Sequence, residues 1–250
     1  MALRALLWDV DGTLAETEHH GHRLAFNRAF AEAGVPLHWD GACYGALLRI
    51  SGGHERLAFA LDELQGFAPD PALVAELQAR KQTHYASLLA SGELGLRPGV
   101  EELIREAAAA GLDQAIVTTS ARQAVAALAE HLLGSLSDCF SIWVCGEDVV
   151  RKKPDCQAYQ RALQLLGLTA DQALALEDSA HGLDAAAGAG LACLVTLSHY
   201  GQSEPLERFA RARAVVNELG REVSVLRGPS CHAGQVTLSY LQDLLDAAPL

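Results

Sequence analysis

The chain has 250 residues, half of them hydrophobic, which is enough to bury one core and a small second domain. Its formal net charge of −12 argues against nucleic acid or an anionic membrane surface as a partner. The sequence has no apolar run of about 18 residues and no signal peptide, so we expect a cytoplasmic protein. Its six cysteines lack a paired spacing, which is typical of buried free thiols in a reducing compartment.

The first predicted strand, residues 3–8, ends in the run Asp9-Val10-Asp11-Gly12-Thr13. In an extended backbone residues i and i+2 point to the same side, so the carboxylates of Asp9 and Asp11 are expected to lie close together. Gly12 permits the sharp exit that leaves both acids at the end of the strand. Such a pair can share a divalent cation, or divide the roles of nucleophile and proton donor. The alternative is an Asp-Gly turn with two solvated acids.

The next segment, residues 15–95, contains no convincing strand. Its helical patterns lie at residues 17–34, 40–49, 54–64 and 71–90. The run Leu96-Arg97-Pro98-Gly99 predicts a turn where the chain returns to the first domain. We therefore assign residues 1–14 and 96–250 to a catalytic core and residues 15–95 to an inserted helical cap. A cap that closes over the core would exclude water and contribute to substrate choice.

Short apolar strands alternate with helices in the rest of the chain. The strands are predicted at residues 113–118, 140–145, 173–177 and 192–196, and the helices at residues 99–110, 121–132, 155–166 and 180–188. This alternation predicts an α/β fold with a doubly wound, parallel, Rossmann-like sheet covered on both faces. Acids at the carboxyl ends of its strands would converge in one crevice. Towards the C-terminus we predict a short edge strand at 214–216, a loop at 228–232 and an amphipathic helix at 237–247 that packs on the core.

Several polar residues follow these strands and suit phosphoryl chemistry. Asp9, Asp11 and Asp178 offer the oxygen ligands that Mg²⁺ prefers, and no set of His and Cys with metal-binding spacing competes with them. Thr118 offers a hydroxyl and Lys153 an ammonium, both suited to the charge on a transferring phosphoryl group.

The small number of lysines in the chain supports a phosphate-binding role for Lys153. The chain has three lysines against sixteen arginines, and two of the three are Lys152 and Lys153. A compact ammonium binds phosphate as a point charge, a role that Arg does not duplicate. The alternative is a solvated helix start, which the helix dipole disfavours for cations.

Four motifs in this order resemble the haloacid dehalogenase-like hydrolases. They are the run Asp9–Thr13, the strand that ends in Thr118, the pair Lys152-Lys153 before Pro154, and the strand that ends in Glu177-Asp178. The resemblance implies that Asp9 is the nucleophile and forms an aspartyl-phosphate, and that Asp11 protonates the leaving oxygen and then activates water. It also implies that Asp9, Asp11 and Asp178 bind Mg²⁺, with Asp11 acting through its backbone carbonyl, and that Glu177 steadies the metal's waters.

The helical insert resembles the cap of the beta-phosphoglucomutase-like branch of that family. The segments Ala15–Glu18, Ser51–Gly53, Thr118–Ser120 and Arg151–Pro154 are similar to those of its CbbY-type phosphatases, which implies xylulose 1,5-bisphosphate as the substrate. The residues predicted to bind substrate are Glu16, His22, Arg49, Ser51, Gly52, Gly53, His54, Lys81, Thr119, Ser120 and Arg122. The alternatives without a role in binding are an ordinary interhelix turn at Gly52-Gly53, packing of His22 within the cap, and a solvent-facing Lys81.

We therefore predict a Mg²⁺-dependent sugar-phosphate phosphatase that acts as a monomer on a small-molecule sugar phosphate or bisphosphate. One alternative is a beta-phosphoglucomutase-like mutase of the same fold, which would have to keep its aspartyl-phosphate from water. Another is a phosphate-ligand binding protein that has lost catalysis. The intact set of Asp9, Asp11, Thr118, Lys153 and Asp178 argues against that second alternative.

Overall fold

The computed structural model describes residues 2–231 and 234–247 of the chain, so His232 of the predicted loop lies outside the described residues. Its sheet consists of β1 (Ala5–Trp8), β2 (Asp113–Val117), β3 (Ile142–Val144), β4 (Ala173–Glu177), β5 (Ala192–Thr196), β6 (Ala214–Val216) and β7 (Val225–Arg227). The strand order is β3-β2-β1-β4-β5-β6-β7, and all neighbours pair in parallel except β6 and β7. The predicted doubly wound parallel sheet is confirmed.

Helices cover both faces of this sheet. They are α5 (Val100–Ala109), α6 (Arg122–Leu128), α7 (Gln157–Leu166), α8 (Ala180–Gly188) and α9 (Leu238–Asp246), the numbers α1–α4 being kept for the insert. Successive side chains of β1 point to opposite faces of the sheet and so contact different helices. Leu6 and Trp8 pack in one cluster with α5, α6 and α9. Ala5 and Leu7 pack in the other cluster with α7 and α8. All four side chains are fully buried, as the apolar pattern of the strand predicts.

The C-terminal part of the sheet differs from the prediction. The strand β6 is not the edge, because the antiparallel β7 pairs with it outside. The segment that forms β7 is short and only partly buried, so it carries no apolar pattern that could have been recognised. The predicted terminal helix is confirmed as α9, with Thr237 accepting a hydrogen bond from the amide of Tyr240 at its start.

The insert contains four α-helices and its own aromatic core. The helices are α1 (Arg23–Ala33), α2 (Gly41–Leu47), α3 (Gly53–Gln65) and α4 (Pro71–Ala90), and a π-helical turn, Glu18–His22, precedes α1. Phe26, Trp39 and Tyr44 belong to a hydrophobic cluster separate from the two clusters of the sheet. The chain passes between insert and sheet at adjacent points, where Ala15 pairs with Leu96. The boundary of the cap at residues 15–95 stays a prediction, since Tyr85, Leu88 and Leu89 of α4 pack in the same cluster as Leu6 and Trp8.

Two further features concern compartment and redox state. Among the residues that the structure describes, no helix is both long and apolar enough to cross a membrane. Cys145 and Cys193 are buried thiols, as predicted, whereas Cys43 is exposed.

Candidate functional site

The predicted acids and the predicted lysine meet at the carboxyl ends of the central strands. Asp9 follows β1 and Glu177 ends the neighbouring strand β4, so the parallel register places the two acids side by side. The ammonium of Lys153 lies between them, with Nζ 2.7 Å from Asp9 Oδ1 and 2.6 Å from Glu177 Oε1. It also donates to the backbone oxygen of Val117 at the end of β2, at 2.7 Å. Lys153 is therefore a buried counter-charge rather than a solvated helix start.

A cluster of three buried acids fits the predicted metal. One carboxylate oxygen from each of Asp9, Glu177 and Asp178 lies within 4.8 Å of the others. Burial raises the pKa of Asp9 well above its ordinary value, although the charge of Lys153 opposes the rise. Burial and the charge of Glu177 raise the pKa of Asp178 to about 7. Three crowded carboxylates with one ammonium have an excess of negative charge, and their hard oxygen atoms suit Mg²⁺.

The raised pKa of Asp178 predicts how stability depends on pH. Without added metal, the folded state holds a proton on Asp178 between its ordinary pKa of 3.8 and about 7, a window in which the unfolded chain has lost it. The Asp178 contribution to the free energy of unfolding should therefore fall as pH rises through that window. Thermal unfolding with EDTA, from about pH 4 to about pH 8, measures the trend, and Asp178→Asn should lack this component.

Added Mg²⁺ should raise the unfolding temperature most above about pH 7, because it binds the ionised carboxylates. Asp178→Asn should lose most of this increase. If Mg²⁺ stabilised wild type and variant equally at every pH, Asp178 would not belong to the metal site.

Glu177 is fixed in place by two residues of neighbouring helices. The hydroxyl of Tyr159 on α7 donates to Glu177 Oε1 at 2.5 Å. A side chain at Gly182 on α8 would place its Cβ only 1.7 Å from Glu177 Oε2, so glycine is required there. Tyr159 lies six positions after Lys153 in the sequence, but this spacing gives no sign that its hydroxyl orients Glu177.

The side chain of Asp11 lies apart from the three-acid cluster and accepts hydrogen bonds from three residues. Ser120 and Thr17 donate their hydroxyls to it, and His22 Nε2 lies 2.8 Å from its Oδ1. Burial alone would raise the pKa of Asp11, but its electrostatic interaction with His22 and its hydrogen bonds with His22, Ser120 and Thr17 outweigh burial and lower it. Asp11 is therefore held as a carboxylate in this arrangement. His22 and Ser120, predicted to bind substrate, contact Asp11 directly.

Lys81 extends this arrangement into the cap. Its Nζ lies 2.7 Å from His22 Nδ1, and the rings of Phe26 and Tyr85 lie within 5.2 Å and 4.9 Å of the ammonium. Burial lowers the pKa of Lys81 to about 8, although the charge of Asp11 opposes the change. Lys81 therefore does not face solvent, and it connects to Asp11 through His22.

Most of the predicted site residues line two adjoining cavities between cap and core. The first, of about 340 Å³, is lined by Asp9, Asp11, Thr118, Lys153, Glu177, Asp178, Arg49 and Ser51. The second, of about 420 Å³, is lined by His22, Gly52, Gly53, His54, Lys81 and Ser120. Glu18, Arg56 and Thr119 line both. Arg49 and Lys81 thus line different cavities.

Two predicted substrate-binding residues have other partners. Arg122, the first residue of α6, donates to Asp148 Oδ2 at 2.5 Å. Glu16 accepts the backbone amide of His199 at 3.0 Å, while its other carboxylate oxygen is buried without a hydrogen bond. Neither residue lines the two cavities.

The Gly52-Gly53 turn joins the cap to the core. Gly52 has φ +93°, and a Cβ at this position would lie 2.1 Å from the carboxylate of Glu55 and 2.5 Å from Lys152 Nζ. Those two groups form an ion pair of 2.5 Å between cap and core. The turn therefore needs glycine for its conformation and for the space that this ion pair occupies.

The chain is similar in sequence to several known proteins. The sequence model described as haloacid dehalogenase-like hydrolase matches residues 3–190. Protein CbbY of Rhodobacter capsulatus is 45% identical over 205 residues, which covers 82% of this chain and 89% of that protein. A phosphoglycolate phosphatase of Yersinia pestis is 31% identical over 207 residues, covering 82% of this chain and 85% of the relative.

A solved structure shares both fold and sequence with the chain. The crystal structure of a CbbY mutant from Rhodobacter sphaeroides, in complex with xylulose 1,5-bisphosphate, matches with a TM-score of 0.80 and 38% identity. The match covers 94% of this chain and 99% of that chain. The chain belongs to the haloacid dehalogenase-like hydrolase family. The prediction that it is a phosphatase of this family is confirmed.

Proposed function

We propose that the protein is a Mg²⁺-dependent phosphatase that hydrolyses xylulose 1,5-bisphosphate through an aspartyl-phosphate. The observation that carries the proposal is the position of Asp9 beside Lys153 in a cap-covered cavity. The solved relative that contains this bisphosphate, and its similarity over nearly the whole chain, support the choice of substrate.

The proposed reaction begins with attack by Asp9 on the phosphorus atom. Lys153, 2.7 Å from Asp9, partly neutralises the carboxylate, so that it can approach a dianionic phosphate. Thr118 lines the same cavity and supplies a hydroxyl to the transferring group. When bound by Asp9, Asp178 and the water-orienting Glu177, Mg²⁺ would supply positive charge that stabilises the phosphoryl oxygens.

Asp11 is proposed to move the proton. In the arrangement described, its carboxylate accepts hydrogen bonds from Thr17, His22 and Ser120, which suits the second step, where a base activates water. In the first step the protonated form gives its proton to the leaving sugar oxygen. Because the three donors favour the carboxylate, we expect substrate to displace at least one of them, and Ser120 lines the substrate-sized second cavity.

The second cavity is the proposed location of the sugar and its distal phosphate. Its basic lining residues are His22, His54, Arg56, Lys81 and Lys152. The side-chain oxygens of Gln78 and Gln82 are buried there without a hydrogen-bond partner in the described structure. Such acceptors would be satisfied by sugar hydroxyls, which a bound sugar presents and an apolar ligand does not.

A panel of sugar monophosphates and bisphosphates, incubated with Mg²⁺, tests the proposal. Release of inorganic phosphate identifies a hydrolase, and we expect the highest kcat/KM with xylulose 1,5-bisphosphate. An isomerised sugar phosphate without release would identify the mutase alternative. Binding of a bisphosphate without any turnover would identify the non-catalytic alternative.

If the enzyme prefers a bisphosphate, substitutions of Lys81 and Arg49 should affect its kcat/KM differently. Lys81→Met should lower kcat/KM on xylulose 1,5-bisphosphate by about 10- to 100-fold, the value of one charged hydrogen bond, and change hydrolysis of an aryl phosphate far less. Arg49→Ala, in the first cavity, is the matched control and should retain the preference for two phosphates over one. The opposite result would place the distal phosphate in the first cavity.

A further inference from the structure

Arg97, in the linker that returns from cap to core, makes an unusual set of hydrogen bonds to backbone oxygens. Its Nη1 donates to the carbonyls of Gly12 and Thr196, the latter at 2.8 Å. Its Nη2 donates to the carbonyls of Leu197 at 2.8 Å and Asn217 at 2.9 Å. Each terminal nitrogen of a guanidinium carries two N–H groups, so these bonds use all of them.

The four carbonyls belong to three separate segments around the site. Gly12 directly follows Asp11, Thr196 ends β5 and Leu197 comes next in the chain, and Asn217 follows β6. The backbone amide of Arg97 also donates to the carbonyl of Leu14, at 2.9 Å, on the outgoing linker. Arg97 therefore joins both cap linkers to the ends of β5 and β6, the two strands that come after β4 in the sheet order.

The turn at Gly12 lies between Asp11 and Asp178. Gly12 has φ +89°, and a Cβ there would lie 2.2 Å from Asp178 Oδ2 and 2.8 Å from the Cβ of Ser198. The turn thus packs directly against Asp178 and the loop that follows β5, whose carbonyls Arg97 also holds. A shift of Gly12 would move the neighbouring Asp11 relative to Asp178.

We propose that Arg97 is a positioning residue for Asp11. By holding the Gly12 carbonyl against the ends of β5 and β6, it fixes the Asp11 carboxylate at the distance from the leaving oxygen that proton transfer requires. This inference rests on the proposed function, because it assigns the proton transfer to Asp11. Lysine cannot replace Arg97, since one ammonium offers three N–H groups from a single nitrogen, whereas two nitrogens here reach four acceptors.

The test compares phosphate monoesters whose leaving groups differ in pKa, from a nitrophenol to a sugar hydroxyl. Arg97→Lys should lower kcat on the sugar phosphate by about 10- to 100-fold, with KM changed by less than about 3-fold. Hydrolysis of nitrophenyl phosphate should change by less than about 3-fold, because a good leaving group does not need the proton. An equal loss across the series, or no loss, would overturn the proposal.

Two further variants separate positioning from folding. In an Asp11→Asn background, Arg97→Lys should cause little additional loss on the sugar phosphate, whereas a full additive loss would overturn the proposal. Arg105→Lys, at a surface ion pair with Glu101, is the matched control and should leave the leaving-group dependence unchanged. Rates are expressed per folded molecule, measured by circular dichroism. If Arg97→Lys fails to fold, the leaving-group series is measured with Arg97→Gln, whose amide keeps two N–H groups. An equal loss across that series, or no loss, would again overturn the proposal.

The outcomes also separate this inference from the proposed function. If the wild-type protein hydrolyses aryl and simple alkyl phosphates but no sugar phosphate, the proposed substrate is wrong. The leaving-group dependence of Arg97→Lys on the aryl and alkyl series still decides the role of Arg97 in that case.

Discussion

Asp9→Asn is expected to lower phosphate release by roughly 10⁴-fold or more while the protein remains folded. Asn has nearly the volume of Asp but cannot attack phosphorus. The variant should be no less stable than the wild type, because burial raises the pKa of Asp9 and so makes its ionised form costly in the fold. Phosphate release and thermal unfolding, measured on the same preparation, check both statements.

A native, fully active Asp9→Asn protein would contradict the assignment of Asp9 as nucleophile. The matched control is Asp148→Asn, which removes a carboxylate that pairs with Arg122 and does not itself line either cavity. It should leave turnover within about 3-fold of the wild type, since its charge does not contact the reacting groups.

Lys153→Met should have the second large effect, on both activity and stability. Burial alone would lower the pKa of Lys153, but its contacts with Asp9 and Glu177 outweigh burial and raise it, so the ammonium stays charged at neutral pH. Removing one partner of a buried ion pair costs about 3–5 kcal/mol, because the remaining carboxylates lose their counter-charge. We expect a decrease of that size in the free energy of unfolding and a decrease of at least about 10³-fold in kcat.

The adjacent lysine offers the control for stability. Lys152→Met removes a partly exposed ion pair with Glu55, which should cost less than about 1 kcal/mol. Acidification should also diminish the defect of Lys153→Met, since Asp9, whose pKa is raised by burial, no longer needs the ammonium once it is protonated. Urea unfolding of both variants at neutral and acidic pH measures the difference. Equal stability of the two variants at neutral pH would contradict the role of Lys153 as buried counter-charge.

The sequence could predict the parts of the site that strand ends position. The apolar strands β1 and β4 are each followed or ended by acids, and parallel pairing of neighbouring strands brings such ends together. Asp9, Glu177 and Asp178 therefore converge as predicted, and so does Lys153. Their catalytic and metal-binding roles stay predictions until variants are measured.

Contacts between distant segments could not be predicted in the same way. Ser120 is 109 positions from Asp11, and the hydroxyl of a residue after a strand can equally face a ligand or another side chain. Arg97 was recognised only as part of a turn, because Pro98 and Gly99 determine the local backbone and say nothing of where a long side chain reaches. Its four acceptors are backbone carbonyls, which every residue possesses, so no residue type in the sequence identifies them.

The central position of β1 has a consequence for synthesis of the chain. Ala5 pairs with Asp113 on one side and with Ala173 on the other, so β1 lacks its second neighbour until about 170 further residues have been made. At 5–20 residues per second this takes on the order of ten seconds. The four-helix insert is contiguous and has its own aromatic core, so it can fold during that interval. The strand that Asp9 follows thus leaves the ribosome long before its second neighbour, β4, has been made, and we expect it to depend on protection from aggregation until then.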